Sequence, residues 1–502
     1  MENRFADSPE WEVVKGVAER GVVAAGHPLT ARSGADVLRA GGNAVDAALA
    51  ALMTSFMTEP LLTGLGAGGY MLVAPPGGAP VLLDFMVAAP GEGERSPLEA
   101  VVIDFGDAVQ VFHIGASSCG VYGVPAGIAM AAERFATVPL ADLAAPAIAY
   151  AREGVEVNAM QGYLWELLGP IVTATPESCA RYCIDDRLPR PGEAVRDPDL
   201  AEGIARLAAD GAAPFYTGDI GAAVSDWVTS RGGTLSRADL AAYETVPREP
   251  VRVRYHGREV LTNPPPSAGG ILIAYVLALL ERGSGPPAAD ALVAAMEAAQ
   301  AERTPEFLEG LAEPGFLESF MRSRLGSTTH VSVLDADGWA CSVTTTNGEG
   351  SGLVVPGTGI HVNNMMGEQD LSPAGWFTHP PGRRLPSMMA PTIVLDDGSP
   401  ELVLGSAGSN RIRSAIVQVI VNAIDRGMDA QAAVDAPRLH FEDGLVYAEP
   451  GIDASALGDR QVAWFKEPNL FFGGCQAVER HHGTGAFSGG GDPRRGGAVV
   501  AV

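Results

Sequence analysis

Strand-like runs ending in Asp-Gly turns, helical runs in both halves of the chain, and the lack of a linker-like boundary predict an α/β (α+β) protein. Its expected architecture is stacked sheets inside layers of helix. Length alone, 502 residues, would suggest about three domains of roughly 150 residues each. No stretch has the composition of a domain boundary, so residues 1–502 are read as a single domain.

Taken in order, VVAAGHPLTARSGADVLRAGGNAVDAALAALMTSFMTEP reads as a short strand and then helices, with Leu38, Val45, Leu49 and Leu52 at helical spacing. Gly41-Gly42-Asn43 separates two helical pieces. GLGAGGYMLVAPP and PVLLDFMVAAPG are two β-type runs around a Pro/Gly turn, a hairpin pattern. Residues 125–250 are Ala-rich and mostly helical, as from Leu200 to Asp210 and Ala222 to Arg231. VRVRYHGREVLTNPPPSAGG returns to strand and a proline-rich loop ahead of another helix. VSVLDADGWACSVTTT and MMAPTIVLDDGSPELVLGSAG each read as two strands, with bends at Asp335 to Gly338 and at Asp397-Gly398. RIRSAIVQVIVNAIDRG reads as a buried helix and the final AVVAV as a strand.

Composition excludes several function classes. With 47% hydrophobic and 19% charged residues the chain can build a large core. A net charge of -26 repels phosphate backbones and anionic lipid, which argues against nucleic-acid and membrane partners. MENRFADSPEWEVVKG lacks the basic and apolar regions of a signal peptide, and no apolar run is long enough to span a bilayer, so a cytoplasmic location is expected. Five scattered cysteines (Cys119, Cys179, Cys183, Cys341 and Cys475) argue against disulfides and structural zinc.

Most motif matches fail on context. GLGAGG fits G-x-G-x-x-G, but a helical pattern precedes it and a strand follows, the reverse of a dinucleotide site. Glycines there suit tight backbone packing or a small ligand's close approach. No G-x-S-x-G elbow and no H-x-x-x-H or H-E-x-x-H pair occurs, so neither a metal nor a cofactor is expected. What remains is Ser327-Thr328-Thr329-His330 at a strand start. A threonine hydroxyl needs a base to become a nucleophile. If the chain were cut before Thr328, the new α-amine, with a reference pKa of about 7.7–8.0, would supply that base on the same residue.

AGGNAVDAALA, EPLLTGLGAGGYMLV, GVPAGIAMA, TNPPPSAGG, STTHVSVLDADG, NGEGSG, GTGIHVNNMM, RRLPSMMAPTIV and GSAGSNRIRSA, in this order from about residue 20 onward, resemble blocks of the gamma-glutamyltransferases (gamma-glutamyltranspeptidases). That family belongs to the N-terminal-nucleophile hydrolases. The resemblance implies a four-layer αββα sandwich made as one precursor, cut between Ser327 and Thr328 into a large segment 1–327 and a small segment 328–502. It further implies Thr328 as nucleophile, Thr346 contacting it, and Gly408 and Ser409 as main-chain oxyanion donors. Thr345 is an alternative to Thr346, because that segment is one residue shorter than in other members. Asn347 and Glu368 fall where the family binds the α-amino group of a glutamyl substrate; Ser387 matches the first serine of a substrate-binding pair whose second member is Met388 here.

One departure bears on substrate. Glutathione-binding members carry an arginine after Asp-Phe or Asp-Tyr to clamp the α-carboxylate, whereas this chain reads Asp84-Phe85-Met86. Arg383, Arg384 and Arg411 are the candidate replacements, with Arg384 placed in the expected substrate site. The expected activity is gamma-glutamyl (or related acyl) transfer from a small-molecule amide, through a threonine ester, to water or an amine. The alternatives are a relative repurposed for non-glutamyl amides or an activated carbon-carbon bond, and a non-catalytic binding protein on the same scaffold. The expected partners are the two segments of one precursor; assembly as a homodimer is left open.

Overall fold

The computed structural model describes residues 19–104, 109–283, 285–301, 329–368, 371, 375–481 and 483–502. Two antiparallel sheets form its centre. In chain order their strands are β1 (Gly21–Ala25), β2 (Gly68–Ala74), β3 (Val81–Phe85), β4 (Val246–Arg248), β5 (Val251–Tyr255), β6 (Arg258–Thr262), β7 (Thr329–Asp335), β8 (Ala340–Thr346), β9 (Thr392–Asp396), β10 (Ser399–Ala407), β11 (Gly474–Arg480), β12 (Phe487–Gly490) and β13 (Ala498–Ala501). The 7-stranded sheet runs β13-β1-β7-β8-β2-β3-β4 and the 6-stranded sheet β12-β11-β10-β9-β6-β5. Strands from before and after residue 328 share the first sheet: β1 pairs with β7 on one side and β13 on the other.

Period-two alternation sorts the side chains into layers. Val22, Ala24, Tyr70, Leu72 and Leu334 point between the sheets, where they meet Ile393, Val403 and Val478. Val23, Ala25, Met71, Val331 and Val343 point outward to helices, among them α1 (Pro28–Arg39) and α2 (Ala44–Thr58). On the far side, Val260, Val394 and Leu404 pack under α3 (Gly269–Leu280) and α4 (Ile412–Ile424). The result is the four-layer αββα sandwich.

Every residue of α2 is buried, as expected of a helix that is apolar on all faces. Its start is fixed by a capping box in which Asn43 accepts from the Asp46 N–H and Asp46 accepts from the Asn43 N–H. The Gly68 and Gly69 positions explain GLGAGG: a Cβ on Gly68 would lie 2.5 Å from Val87 N, and one on Gly69 would strike Thr344 O. These glycines pack backbone on backbone, as their order relative to helix and strand suggested.

Two features depart from the sequence reading. Cys179 and Cys183 form a disulfide, with Cα atoms 5.0 Å apart. Their spacing sets one in the middle of the helix Pro176–Tyr182 and the other one turn later at its C-cap, where the Cys183 N–H donates to Cys179 O at 2.7 Å. The second departure is a small sheet of Leu439–Glu442, Leu445–Ala448 and Val462–Trp464, which no strand pattern had marked.

Candidate active site

The central strands β7 and β8 turn polar at one end. His330, buried between the sheets, meets Thr344 Oγ1 through Nδ1 at 2.7 Å and Ser332 Oγ through Nε2 at 2.8 Å. Its ring lies against Gly405, where a Cβ could not fit. Burial pushes the imidazole down to about 3, so His330 is a neutral, hydrogen-bonded structural residue.

Register separates the two threonines at the end of β8. Thr345 pairs with Thr329, and its hydroxyl lies 2.7 Å from that of Thr63. Thr346, the next residue, points the other way; its Oγ1 accepts from the Gly348 N–H at 2.8 Å and it lines a pocket of about 540 Å³. Gly348, Glu349, Gly408, Ser409, Arg411 and Arg495 line the same pocket, with an apolar wall that includes Leu62, Leu164 and Leu470. Thr346 and the Gly408-Ser409 turn are thus brought together. Ser327 and Thr328 lie outside the described residues; Thr329 opens β7 with its Oγ1 donating to Glu59 Oε1 at 2.9 Å.

The turn after β10, where the resemblance puts the main-chain oxyanion donors, is tightly constrained. Gly408 and Ser409 have φ of 120 and 54, and a Cβ on Gly408 would sit 2.5 Å from Gly473 Cα. Only glycine fits that position. Ser409–Arg411 then forms a 3-10 turn that leads directly into α4, so the turn sits at the positive end of a buried helix.

Asn347 is held by its backbone while its side chain is left unmet. Its N–H donates to Leu62 O at 3.0 Å and its C=O accepts from Gly350 N at 3.1 Å. Yet neither Oδ1 nor Nδ2 of this buried amide has a partner among the described residues. Such groups cost about 1–3 kcal/mol each when unsatisfied, so the amide keeps its full hydrogen-bonding capacity for another group. The Glu368 carboxylate, also buried, packs against Gly348.

Three other expected residues stand elsewhere. Ser387 Oγ accepts from Met389 N at 3.0 Å, and Met388 is fully buried in the core beneath α3. Arg384 lies 3.6 Å from Asp84, stacks on Tyr243 at 4.1 Å and donates to Glu244 O. None of the three lines the pocket. Asp84 is also bound by Arg248 at 2.7 Å. Met86 is fully buried in the apolar layer between the sheets.

Two charged residues were missed. Arg495 arrives on the 3-10 turn Pro493–Arg495 and lines both this pocket and a neighbouring one of about 450 Å³. Glu59 caps the end of α2 and lines the neighbouring pocket. Although Glu59 is half-buried overall, its Oε2 is sealed from solvent without a partner, and burial pushes its carboxyl up to about 7. The block EPLLTGLGAGG contained Glu59, but nothing in sequence showed that it would face the start of β7. Among the described residues no group of three or more His, Cys, Asp or Glu is placed to hold a metal.

Comparison with known proteins gives the family. A family profile described as Gamma-glutamyltranspeptidase matches residues 30–323 and 317–502. The chain belongs to the gamma-glutamyltranspeptidase family. Relatives within reach include the acylase ACY 1 proenzyme of Pseudomonas sp. (strain SE83), 33% identical and covering 96% of this chain and 94% of that protein. The glutathione hydrolase proenzyme of Escherichia coli (strain K12) is 31% identical, over 85% of this chain and 81% of that protein. Among solved structures, the cephalosporin acylase from Bacillus halodurans superposes with a TM-score of 0.84 at 26% identity, covering 100% of this chain and 99% of that one. This gamma-glutamyltranspeptidase family member is accordingly an enzyme of the N-terminal-nucleophile hydrolase type.

Proposed function

We propose that the chain is a proenzyme that cuts itself between Ser327 and Thr328, and that the resulting segments 1–327 and 328–502 remain one αββα body. Support comes from the interleaving of β1 between β7 and β13, which ties both segments into one sheet. In this reading Thr328 Oγ first attacks the Ser327 carbonyl and the Ser327–Thr328 C–N bond breaks, giving an ester and a free Thr328 α-amine that has taken up the hydroxyl proton; water then hydrolyses the ester to the Ser327 carboxylate and restores the Thr328 hydroxyl. That amine then takes the hydroxyl proton as Oγ adds to a substrate amide carbonyl. The developing oxyanion is held by the N–H groups of Gly408 and Ser409. The amine half leaves with a proton, and water or an acceptor amine releases the acyl group.

The observation that carries this reading is the convergence of Thr346, the Gly348-Glu349 loop and the Gly408-Ser409 turn on one pocket, beside the strand that Thr329 opens. Gamma-glutamyl and related acyl amides are the substrate class, with the Asn347 amide poised for the acyl group's polar end and transfer to an amine as well as to water. A second reading, an acylase acting on non-glutamyl amides, is favoured by one feature. Met86 is part of the core, and Arg384 is committed to Asp84, so neither offers a clamp for the glutamyl α-carboxylate. Turnover of gamma-glutamyl-p-nitroanilide beside a panel of non-glutamyl p-nitroanilides separates the two. Loss of all turnover in T328A, with the chain left continuous, is expected in both, and turnover by T328A would overturn both.

A further inference from the structure

Two guanidinium groups share one wall of the pocket, and their partners differ. Arg411 donates through Nε to Phe471 O at 2.9 Å and stacks on the Phe471 ring at 4.6 Å. Arg495 reaches only Leu470 O, at 3.4 Å, and its Nε is sealed from solvent without a partner. Among the described residues Arg495 forms no ion pair. Asp492, three positions earlier, is already held by Arg438 at 2.6 Å and Arg494 at 3.3 Å. Asp492, Glu349 and Glu59 act on Arg495 through their charges. Burial pushes the Arg495 guanidinium down to about 10, and the Arg411 charge acts in the same direction. A desolvated cation with no carboxylate bonded to it is costly to bury, so an arginine set this way in a pocket is suited to receive an anion.

The guanidinium is also deliberately seated. A Cβ on Gly474 would lie 2.6 Å from Arg495 Cδ, so the arginine stem lies in the space a side chain there would fill. A Cβ on Gly408 would lie 3.6 Å from Arg495 Nη2, which puts the charge beside the oxyanion turn. Resting on the N-terminal-nucleophile reading above, we propose that Arg495 is the anion clamp of this pocket and selects amides that carry a carboxylate a short reach from the scissile carbonyl. Arg495 thereby takes the role of the arginine that Met86 replaces, from the 3-10 turn between β12 and β13. Leu62, Leu164 and Leu470 flank the intervening methylenes. A planar guanidinium with free N–H groups is suited to two parallel bonds to one carboxylate.

The carboxylate could sit on the acyl or the amine half, and matched substrates distinguish them. Glutaryl-p-nitroanilide against valeryl-p-nitroanilide tests the acyl side; valeryl-4-aminobenzoate against valeranilide tests the amine side. The expected result is that one charged member exceeds its neutral match in kcat/KM, and that R495M lowers that ratio roughly 10–150-fold, as loss of a charged hydrogen-bond pair implies, with R495K restoring part of it. Ligand-free R495M should unfold at no lower a temperature than wild type, which a purely structural arginine would not allow. Equal ratios in wild type, or a preference that survives in R495M, overturn the clamp while leaving the hydrolase reading intact. If no amide is turned over, the hydrolase reading fails; calorimetry with glutarate and with benzoate on both proteins then decides the clamp alone, which stands if R495M abolishes binding and falls if it does not.

Discussion

Replacing Glu59 with glutamine isolates one charge beside the first residue of β7. Glu59 Oε1 accepts from the Thr329 hydroxyl at 2.9 Å while its buried Oε2 has no partner. Glutamine keeps the acceptor and the shape and removes the ionisation. Burial raises the carboxyl from 4.5 to about 7, against the Thr329 hydrogen bond and the Arg495 charge, which lower it; His27, which lines the same pocket, is itself pushed down to about 4 and stays neutral there. At about 1.4 kcal/mol for each tenfold change in proton affinity, ionising Glu59 costs the fold up to roughly 3 kcal/mol. The sign follows from the raised value. The Glu59 contribution is full below pH 4.5, declines as pH rises, and is lost above about pH 7. Denaturant unfolding of the T328A chain, with and without E59Q, should therefore give equal stabilities near pH 4.5 and an advantage of roughly 3 kcal/mol for E59Q at pH 8. A difference that does not vary with pH, or an E59Q chain that is weaker at pH 8, would refute the reasoning.

Other outcomes follow from the same packing. N347A removes a buried amide with no internal partner, so unfolding should occur at an equal or higher temperature while KM for the preferred amide rises about 10-fold or more. G408A places a Cβ 2.5 Å from Gly473 Cα at a φ of 120, and displacement of the oxyanion turn should lower kcat about 100-fold, read in steady-state kinetics of the processed enzyme. M86R buries a third cation beside Asp84, which already holds Arg248 and Arg384; it should lower unfolding stability by about 3 kcal/mol or more without raising gamma-glutamyl-p-nitroanilide turnover.

The sheets were readable because local chemistry and global pattern agree in them. The bends at Asp335 to Gly338 and Asp397-Gly398 carry hairpin residues, and alternation on β7 to β10 assigns each side chain a face. The small sheet escaped notice because Leu439–Glu442 and Leu445–Ala448 are only four residues each and the third strand, Val462–Trp464, is three residues long and pairs in parallel across a loop. Site residues divided along similar lines. Thr346, Gly408 and Ser409 stand in motif blocks and meet at one pocket. That Thr346 and not Thr345 lines this pocket depends on strand register, since adjacent residues face opposite sides. Arg384 looked available in sequence because nothing there shows that Asp84 takes it, an ion pair formed across the fold. Arg495 and Glu59 reach the site from a C-terminal turn and a helix end, 436 positions apart in the chain, so only tertiary structure makes them neighbours.

The central claim is the identity of the nucleophile, and N-terminal sequencing of the smaller fragment of purified protein tests it most directly. The account predicts a fragment that begins at Thr328, and a continuous, inactive 502-residue chain in T328A. A wild-type chain that stays intact yet turns over amides, or a small fragment that begins at another residue, would contradict it.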